Sequence, residues 1–194
     1  MRVGLTGGIG SGKSEVARIL REFGAFIVDT DELAREAVAP QSDGLMAIAR
    51  QWPSVVREGA LDRRALAEIV FNDASARERL NAIVHPFVIR LAEEREKRAQ
   101  PGQLIVHVVP LLFETGYSEI VDKSVLIISP EDERIARVLA RDGSSERDVR
   151  ARMAAQIDPN EARTRAHFII ENDGNLEHLR ERTREVFEKL TTPA

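Results

Sequence analysis

Residues 7–14 read Gly-Gly-Ile-Gly-Ser-Gly-Lys-Ser and follow directly on the apolar run Val3–Leu5. This is the P-loop pattern Gly-x-x-x-x-Gly-Lys-Ser, placed here between a predicted strand and a predicted amphipathic helix. Such a loop binds nucleotide phosphates with its backbone N–H groups and with the partial positive charge at the N-terminus of the following helix. We expect Lys13 to reach the β- and γ-phosphates and the Ser14 hydroxyl to bind Mg²⁺.

The alternative reading of this stretch, a chance glycine-rich turn, is disfavoured by its lysine. Lys13 is the first lysine of the chain and the next is Lys97, whereas arginine is used freely throughout. Phosphate binding by a compact ammonium group explains a lysine at this position better than an accident of composition does. The residues of this loop expected to bind the nucleotide are Gly8, Ile9, Gly10, Ser11, Gly12, Lys13, Ser14 and Glu15.

The composition indicates one α/β domain with a full hydrophobic core. The chain has 194 residues, 43% of them hydrophobic, and a formal net charge of −4. Without a basic face we expect no nucleic-acid partner, and without a long apolar stretch no membrane span. The chain has no cysteine, which excludes disulfides and zinc–cysteine sites. Since Met1 leads straight into the first predicted strand, we expect no signal peptide and a cytoplasmic location. We also expect a monomer, with self-association left open.

Five short apolar runs alternate with helical patterns, which predicts a mostly parallel sheet with helices on both faces. The runs are Arg2–Thr6, Ala25–Asp29, Leu104–Val109, Ser124–Ile128 and His167–Glu171. The predicted fold class is α/β, a three-layer P-loop NTPase fold with a five-stranded parallel sheet, a helical substrate-binding insertion and a helical lid.

Residues 32–99 are too long for a single crossover helix. They contain several helical patterns, with an expected Asp cap at Asp62 and an expected Ser cap at Ser75. The dipeptide His85-Pro86 predicts a helix end, since proline disfavours helical geometry in the residue before it. We interpret the stretch as a helical insertion over the carboxyl edge of the sheet.

Residues 131–160 form a second unusual stretch, dense in charge. They read as two helices joined by Asp142-Gly143-Ser144, which suits a mobile lid, although an ordinary solvated hairpin fits the charge pattern equally well. Negative charge spreads over a phosphoryl group during its transfer, and arginine can stabilise this charge with its permanent, bidentate guanidinium. Arg141 is our first candidate for this role, before Arg137. For Arg137 the alternative is a surface ion pair with Glu133.

Two carboxylates stand where the second predicted strand ends, in Val28-Asp29-Thr30-Asp31. Ligands of open α/β sheets bind at this carboxyl edge. A carboxylate there can accept a proton from a hydroxyl nucleophile and can hold Mg²⁺. We expect Asp31 to be the base and Asp29 to support it; the alternative is that one of them caps the next helix.

Two further residues are weaker candidates. Glu114 ends the apolar run Pro110–Phe113 and could wall a substrate pocket, although that run could equally be simple core. His85 could contact an anionic substrate, but a histidine at such a position more often satisfies local backbone.

Taken together, these motifs resemble the dephospho-coenzyme A kinases over nearly the whole chain. The matching motifs are Leu5–Ser14, Asp29–Asp31, Gly59–Arg63, Val70–Asp73, Ile83–Pro86, Pro110–Glu114, Arg137–Gly143, Gln156 and Ile170–Gly174. The resemblance implies transfer of the γ-phosphate of ATP, with Mg²⁺, to the ribose 3′-hydroxyl of dephospho-coenzyme A. It also implies one kinase domain over residues 1–194, with a coenzyme A-binding insertion at 32–99 and a lid at 131–160.

The resemblance assigns roles to individual residues. Asp31 looks like the base that receives the hydroxyl proton, and Lys13 and Arg141 look like the groups that neutralise phosphate charge. The remaining implied roles are Mg²⁺ binding for Ser14 and Asp31, acceptor binding for Arg63, His85 and Glu114, and a place near the adenine for Asn172.

Three positions depart from the pattern of that family. Glu15 stands where Thr or Ser is usual and should face outward with little effect. Arg134 stands where Gln is usual, and we assign it no role. His167 stands where Asp is common. If that aspartate helps to order the nucleotide-binding end in the family, this chain lacks its contribution.

Other functions were weighed against the same residues. Another P-loop small-molecule or nucleoside kinase fits the architecture. A GTPase switch is disfavoured because the chain has neither Asn-Lys-x-Asp nor a strand-terminal Asp-x-x-Gly. A coenzyme A-binding protein without catalysis is disfavoured by the intact P-loop.

Overall fold

The computed structural model describes residues 1–192, apart from the side chain of Asn72. The strands are β1 (Arg2–Gly7), β2 (Phe26–Asp29), β3 (Val56–Arg57), β4 (Ala60–Leu61), β5 (Ile105–Val108), β6 (Lys123–Ile128) and β7 (Phe168–Glu171). Five of them form one parallel sheet in the order β2–β5–β1–β6–β7, and β3 pairs with β4 in a separate antiparallel ribbon. The predicted five-stranded parallel sheet is therefore confirmed.

Nine α-helices lie within the described residues. They are α1 (Lys13–Glu22), α2 (Thr30–Ala37), α3 (Asp43–Gln51), α4 (Arg63–Asn72), α5 (Ala74–Glu96), α6 (Glu131–Asp142), α7 (Glu146–Ala154), α8 (Pro159–Arg165) and α9 (Leu176–Thr191). Helices flank the sheet, as the alternation of strand and helix in the sequence predicts.

The chain divides into two compact units, Met1–Val28 with Ala99 onward, and Asp29–Arg98. In the first unit β1 is the central strand, where Val3 pairs with Val106 of β5 and with Lys123 of β6. Most residues of β1, β5 and β6 are buried, several of them in one hydrophobic core. Helices α1 and α9 pack against each other and contribute to the same core. The P-loop leaves β1 at its carboxyl end and opens α1 directly, so a buried strand and a packed helix fix both ends of the loop.

The second unit consists of α2–α5 and the β3–β4 ribbon. Helix α5 contacts α2, α3 and α4, and buries Ala76, Val88 and Ala92. The ribbon turns through Glu58 and Gly59, which both have positive φ, at 51° and 76°. This turn was missed in the sequence, although a glycine between two short apolar runs is a hairpin signal. The unit spans almost the same residues as the predicted insertion 32–99; its binding of a substrate stays a prediction.

The helix end predicted at His85-Pro86 is wrong. Helix α5 runs through Pro86 without a break, from Ala74 to Glu96. Proline removes one backbone hydrogen bond and clashes with the preceding turn, at a cost of about 3 kcal/mol. Helix α5 packs against three other helices and has buried residues both before Pro86, at Ala76, and after it, at Val88 and Ala92, and this packing offsets the cost.

Two smaller expectations also need correction. The cap before α5 is Asp73 rather than Ser75, whose own N–H donates to the Asp73 carboxylate at 2.8 Å. Helix α8 was not separated from the lid hairpin in the sequence, although Pro159 at its first position and Asp158 as its cap are standard start signals. In residues 1–192 no helix combines the length and the apolar character needed to cross a bilayer.

Candidate nucleotide-binding site

The P-loop has a backbone shape that leaves N–H groups available for an anion. Gly10 and Gly12 have φ of 76° and 101°, a region that side chains with a Cβ rarely adopt. Within the described residues, the N–H groups of Gly10, Gly12 and Ser14 have no hydrogen-bond acceptor. Helix α1 has Gly12 as its N-cap and therefore no side-chain cap, so its positive end also faces the loop.

The side chain of Lys13 crosses this loop. Its ammonium donates to the carbonyl oxygens of Gly7 at 2.5 Å and Gly8 at 3.2 Å. Two carbonyl partners hold a flexible side chain in one place before any phosphate arrives, which reduces the entropy lost on binding. Ser14, in the first turn of α1, is exposed. Glu15 pairs with Arg18 on the outer face of the same helix, at 2.5 Å, as expected for a residue that faces outward.

Asn172 supports the loop from the end of β7. Its side chain is buried, and its Nδ2 donates to the carbonyl oxygen of Ser11 at 2.8 Å. A Cβ at Gly12 would overlap the Asn172 amide, so a glycine is required there both by its φ and by this contact. Asn172 therefore shapes the loop; its predicted place near the adenine stays a prediction.

Ile9, at the tip of the loop, is held on both sides of its peptide by residues of the predicted lid. Its N–H donates to Oε1 of Gln156 at 2.8 Å, and its carbonyl accepts from Nε of Arg134 at 2.9 Å. The Arg137 guanidinium adds a bond to the carbonyl of Gly10, at 3.2 Å, and one to Ser129, at 2.9 Å. The tip of the P-loop thus depends on side chains more than 100 residues away.

The predicted lid has an apolar cluster of its own. Ile135 and Val138 of α6 pack with Val149 of α7, and these three side chains are buried. Ile9 packs against this cluster from the P-loop. The hairpin is therefore docked on the loop and is more than a solvated surface feature, while its motion stays a prediction.

Arg141 takes a different position from Arg134 and Arg137. It lies at the C-terminal end of α6, more than half exposed, and bonds both oxygens of its neighbour Asp142, at 2.6 and 3.0 Å. Hydrogen bonds from Arg141 and then Arg152 lower the pKa of the Asp142 carboxyl to about 2. The structure does not bring Arg141 to the P-loop, and its predicted contact with phosphate stays a prediction.

A cavity of about 280 Å³ opens beside the loop, between the carboxyl ends of β1 and β6 and the helices α7 and α8. Gly8 and Ser11 line it from the P-loop, and Phe113 and Glu114 line it from the segment after β5. Glu114 is exposed and accepts from the N–H of Ile157 at 3.0 Å. Glu114 thus borders the cavity, and its carboxylate also holds the connection between α7 and α8 shortly before α8 begins.

The remaining predicted residues lie in the second unit. Asp29 is the N-cap of α2 and accepts from the N–H groups of Asp31 and Glu32, at 2.9 and 3.2 Å. The capping alternative is therefore correct for Asp29. Asp31 stands in the first turn of α2 with an exposed side chain, so its carboxylate is accessible.

Arg63 and His85, the two predicted acceptor ligands of this unit, differ in exposure. Arg63 is exposed at the first position of α4, after its cap Asp62. His85 is half-buried within α5, and this burial lowers its pKa. Their roles toward a substrate stay predictions.

The donor set fits a magnesium ion that is held mainly by phosphate oxygens. In residues 1–192, no group of three or more His, Asp or Glu side chains could hold a metal ion. Mg²⁺ in kinase sites commonly uses one or two protein oxygens together with substrate phosphates and water. The exposed Ser14 hydroxyl beside the loop N–H groups is a suitable protein ligand of this kind.

Sequence reasoning missed two residues that contact the loop. Gln156 was noted only as part of a motif, and Arg134 was left without a role. The available signal for Gln156 was weak, a lone polar residue after a charged helix. His167, the third departure, precedes β7 and accepts a hydrogen bond from the Ser124 hydroxyl at the amino edge of the sheet, opposite the P-loop.

Comparison with known sequences gives one consistent result. The sequence model of the dephospho-CoA kinase family (CoaE) matches residues 1–178. The dephospho-CoA kinase of Moorella thermoacetica is 44% identical over 193 residues, which cover 97% of this chain and 91% of that protein. The dephospho-CoA kinase of Thermobifida fusca is 43% identical over 192 residues, covering 98% of this chain and 96% of that protein.

Solved structures agree with these matches. The crystal structure of TT1252 from Thermus thermophilus has a TM-score of 0.89 and 40% identity, covering 100% of this chain and 98% of that one. A dephospho-CoA kinase from Campylobacter jejuni has a TM-score of 0.70 and 26% identity, covering 98% and 96%. A shikimate kinase from Bacteroides thetaiotaomicron, with a TM-score of 0.54 and 14% identity over 99% of both chains, shares the fold alone.

Proposed function

The chain belongs to the dephospho-CoA kinase family, and we propose that it transfers the γ-phosphate of ATP to the ribose 3′-hydroxyl of dephospho-coenzyme A. The products are coenzyme A and ADP, and the reaction is the last step of coenzyme A biosynthesis. The observation that carries this proposal is the P-loop itself, with available N–H groups and a held lysine, in a chain matched to this family over most of its length.

The loop and Lys13 would act on the phosphates. Phosphoryl transfer passes through a state with charge spread over the moving group, and catalysis is mostly positioning and charge stabilisation. The N–H groups of Gly10, Gly12 and Ser14 would bind phosphate oxygens, and the Lys13 ammonium would neutralise charge at the same place. Mg²⁺, when bound, would be held by Ser14 and phosphate oxygens and would neutralise further charge.

Asp31 is our proposed base. Its carboxylate is exposed in the first turn of α2, where a substrate hydroxyl can reach it, and Asp29 anchors that turn by capping it. It would accept the proton of the 3′-hydroxyl as the oxygen attacks, and it could also contact the metal ion. Arg141 as a phosphate ligand, and Arg63, His85 and Glu114 as acceptor ligands, remain parts of the same proposal. A cytoplasmic monomer that binds neither nucleic acid nor membrane also remains an expectation.

The competing function is another small-molecule kinase of the same fold. A panel of acceptors would decide between them, with ATP as donor and dephospho-coenzyme A, a nucleoside monophosphate, a nucleoside and shikimate as acceptors. We expect ADP release to depend on dephospho-coenzyme A alone, with coenzyme A as the product by mass. Turnover of another acceptor, without turnover of dephospho-coenzyme A, would reject the proposal.

A further inference from the structure

Arg134 lies directly against the phosphate-binding loop. Its Nε donates to the carbonyl of Ile9 at 2.9 Å, which fixes the guanidinium plane. The outer part of the same group lies over the Cα of Gly8, where a Cβ would overlap Nη2 and Cζ. The chain therefore holds a cationic head group on the P-loop.

The outer nitrogens of this arginine have no acceptor. Within the described residues, neither Nη1 nor Nη2 of Arg134 makes a hydrogen bond, although the side chain is half-buried and burial lowers its pKa. The nearby carboxylate of Glu131 is bonded to Arg150 instead, at 2.6 Å. The guanidinium is half-buried and its outer nitrogens donate to no acceptor in the described part of the chain, so they are available to an acceptor that arrives with the substrate.

A second unsatisfied group lines the same cavity. The Ser11 side chain is 1% exposed, and its Oγ has no hydrogen-bond partner. It lies against Gly7, next in sequence to the Gly8 that Arg134 covers. Arg134 and Ser11 thus border one cavity of about 280 Å³, and both can donate to an oxygen.

We propose that Arg134 binds a phosphoryl oxygen of the reactants through its Nη groups while its Nε keeps the guanidinium fixed on Ile9. The inference rests on the proposed function and adds to it a phosphate ligand that the family resemblance does not supply. Both reactants carry phosphoryl groups, the triphosphate of ATP and the diphosphate of dephospho-coenzyme A. The chemistry is the same for both, and the experiment separates them.

Arg134→Gln is the decisive variant because of its geometry. The glutamine Nε2 is bonded to Cδ as the arginine Nε is, so it can still donate to the Ile9 carbonyl, but the Nη groups and the charge are lost. Arg134→Met removes the donor to Ile9 as well. The matched control is Arg163→Gln, the same chemical change in an exposed arginine of α8 whose partner is Glu171.

The measurements are the Kd of ATP for the full chain, by titration calorimetry, and kcat and KM for both substrates. For Arg134→Gln we expect a loss of about 10- to 100-fold, the usual range for a hydrogen bond to a charged group. A raised Kd for ATP identifies the triphosphate as the ligand, and a raised KM for dephospho-coenzyme A alone identifies the diphosphate. Arg163→Gln should stay within about twofold of wild type.

Two results would overturn the proposal. If Arg134→Gln stays near wild type while Arg134→Met loses activity, the arginine serves only to hold Ile9. If both variants stay near wild type, it has neither role. Failure of the proposed function is a separate result, in which wild type does not phosphorylate dephospho-coenzyme A. In that case the Kd of ATP can still be compared between wild type and Arg134→Gln.

Discussion

The P-loop and the helical unit Asp29–Arg98 are held in shape in opposite ways. In the helical unit, Asp29, Asp62 and Asp73 cap α2, α4 and α5 by accepting from backbone N–H groups two or three residues further along the chain. At the P-loop, Ile9 is bonded by residues 125 and 147 positions away. The helices of one region are thus encoded locally, whereas the shape of the other depends on most of the chain.

This contrast follows from what a phosphate-binding site requires. A phosphate site must keep donors in place against its own tendency to form internal hydrogen bonds, and remote side chains supply that restraint. A helix cap bonds one or two N–H groups to the chain's own side chain, and those groups are then not available to a ligand.

Lys13→Ala should have the largest effect, because it removes the charge that crosses the P-loop. We expect kcat/KM to fall by about 10³-fold, with weaker ATP binding and a lower rate together. Steady-state kinetics and calorimetry with ATP would measure both. A variant that loses rate but binds ATP as wild type does would contradict the placement of this lysine on the phosphates.

Asp31→Asn should affect the rate without affecting the nucleotide. It keeps the size of the side chain but cannot accept the proton, so we expect kcat to fall by about 10²- to 10³-fold. The Kd of ATP should stay within about twofold, which distinguishes this region from the P-loop. Turnover close to wild type would remove Asp31 from the mechanism.

Pro86→Ala tests whether packing alone keeps α5 continuous. Alanine restores a backbone donor and suits the helix interior better, although the unfolded chain also becomes more flexible. We expect a gain of about 2 kcal/mol, or a melting temperature higher by about 4–8 °C. A lower melting temperature in a thermal scan would mean that the structure around Pro86 depends on the proline.

As far as stability is concerned, His85→Gln should change mainly the pH dependence. Burial lowers the pKa of His85 in the folded protein. At pH values near and below the usual pKa of histidine, the unfolded chain therefore binds this proton more readily than the folded protein does. Wild type should therefore lose stability relative to the variant as the pH falls from 7 to 5. Urea midpoints across this range would measure it, with the exposed His178→Gln as the control; parallel curves for His85→Gln and wild type would contradict it.

Much of the fold followed from the sequence, since the buried strands are continuous apolar runs and most caps are local. The course of α5 through Pro86 did not, because it depends on helices that pack around it. In the site, the P-loop was identified from its own residues. The bonds from Arg134 and Gln156 to Ile9 could not be predicted, because they arise only when α6 and the residues after α7 come to lie on the loop.

The central position of β1 bears on how the protein is made. Arg2 pairs with Ile105 and Val3 with Lys123, so β1 is synthesised on the order of ten seconds before the strands that it pairs with. In that interval Val3–Leu5 is a bare apolar segment, a natural target for chaperones that act on nascent chains, while the helices of Asp29–Arg98 can already form. The P-loop, which follows β1 directly, therefore takes its final shape only after the residues up to Gln156 have been made.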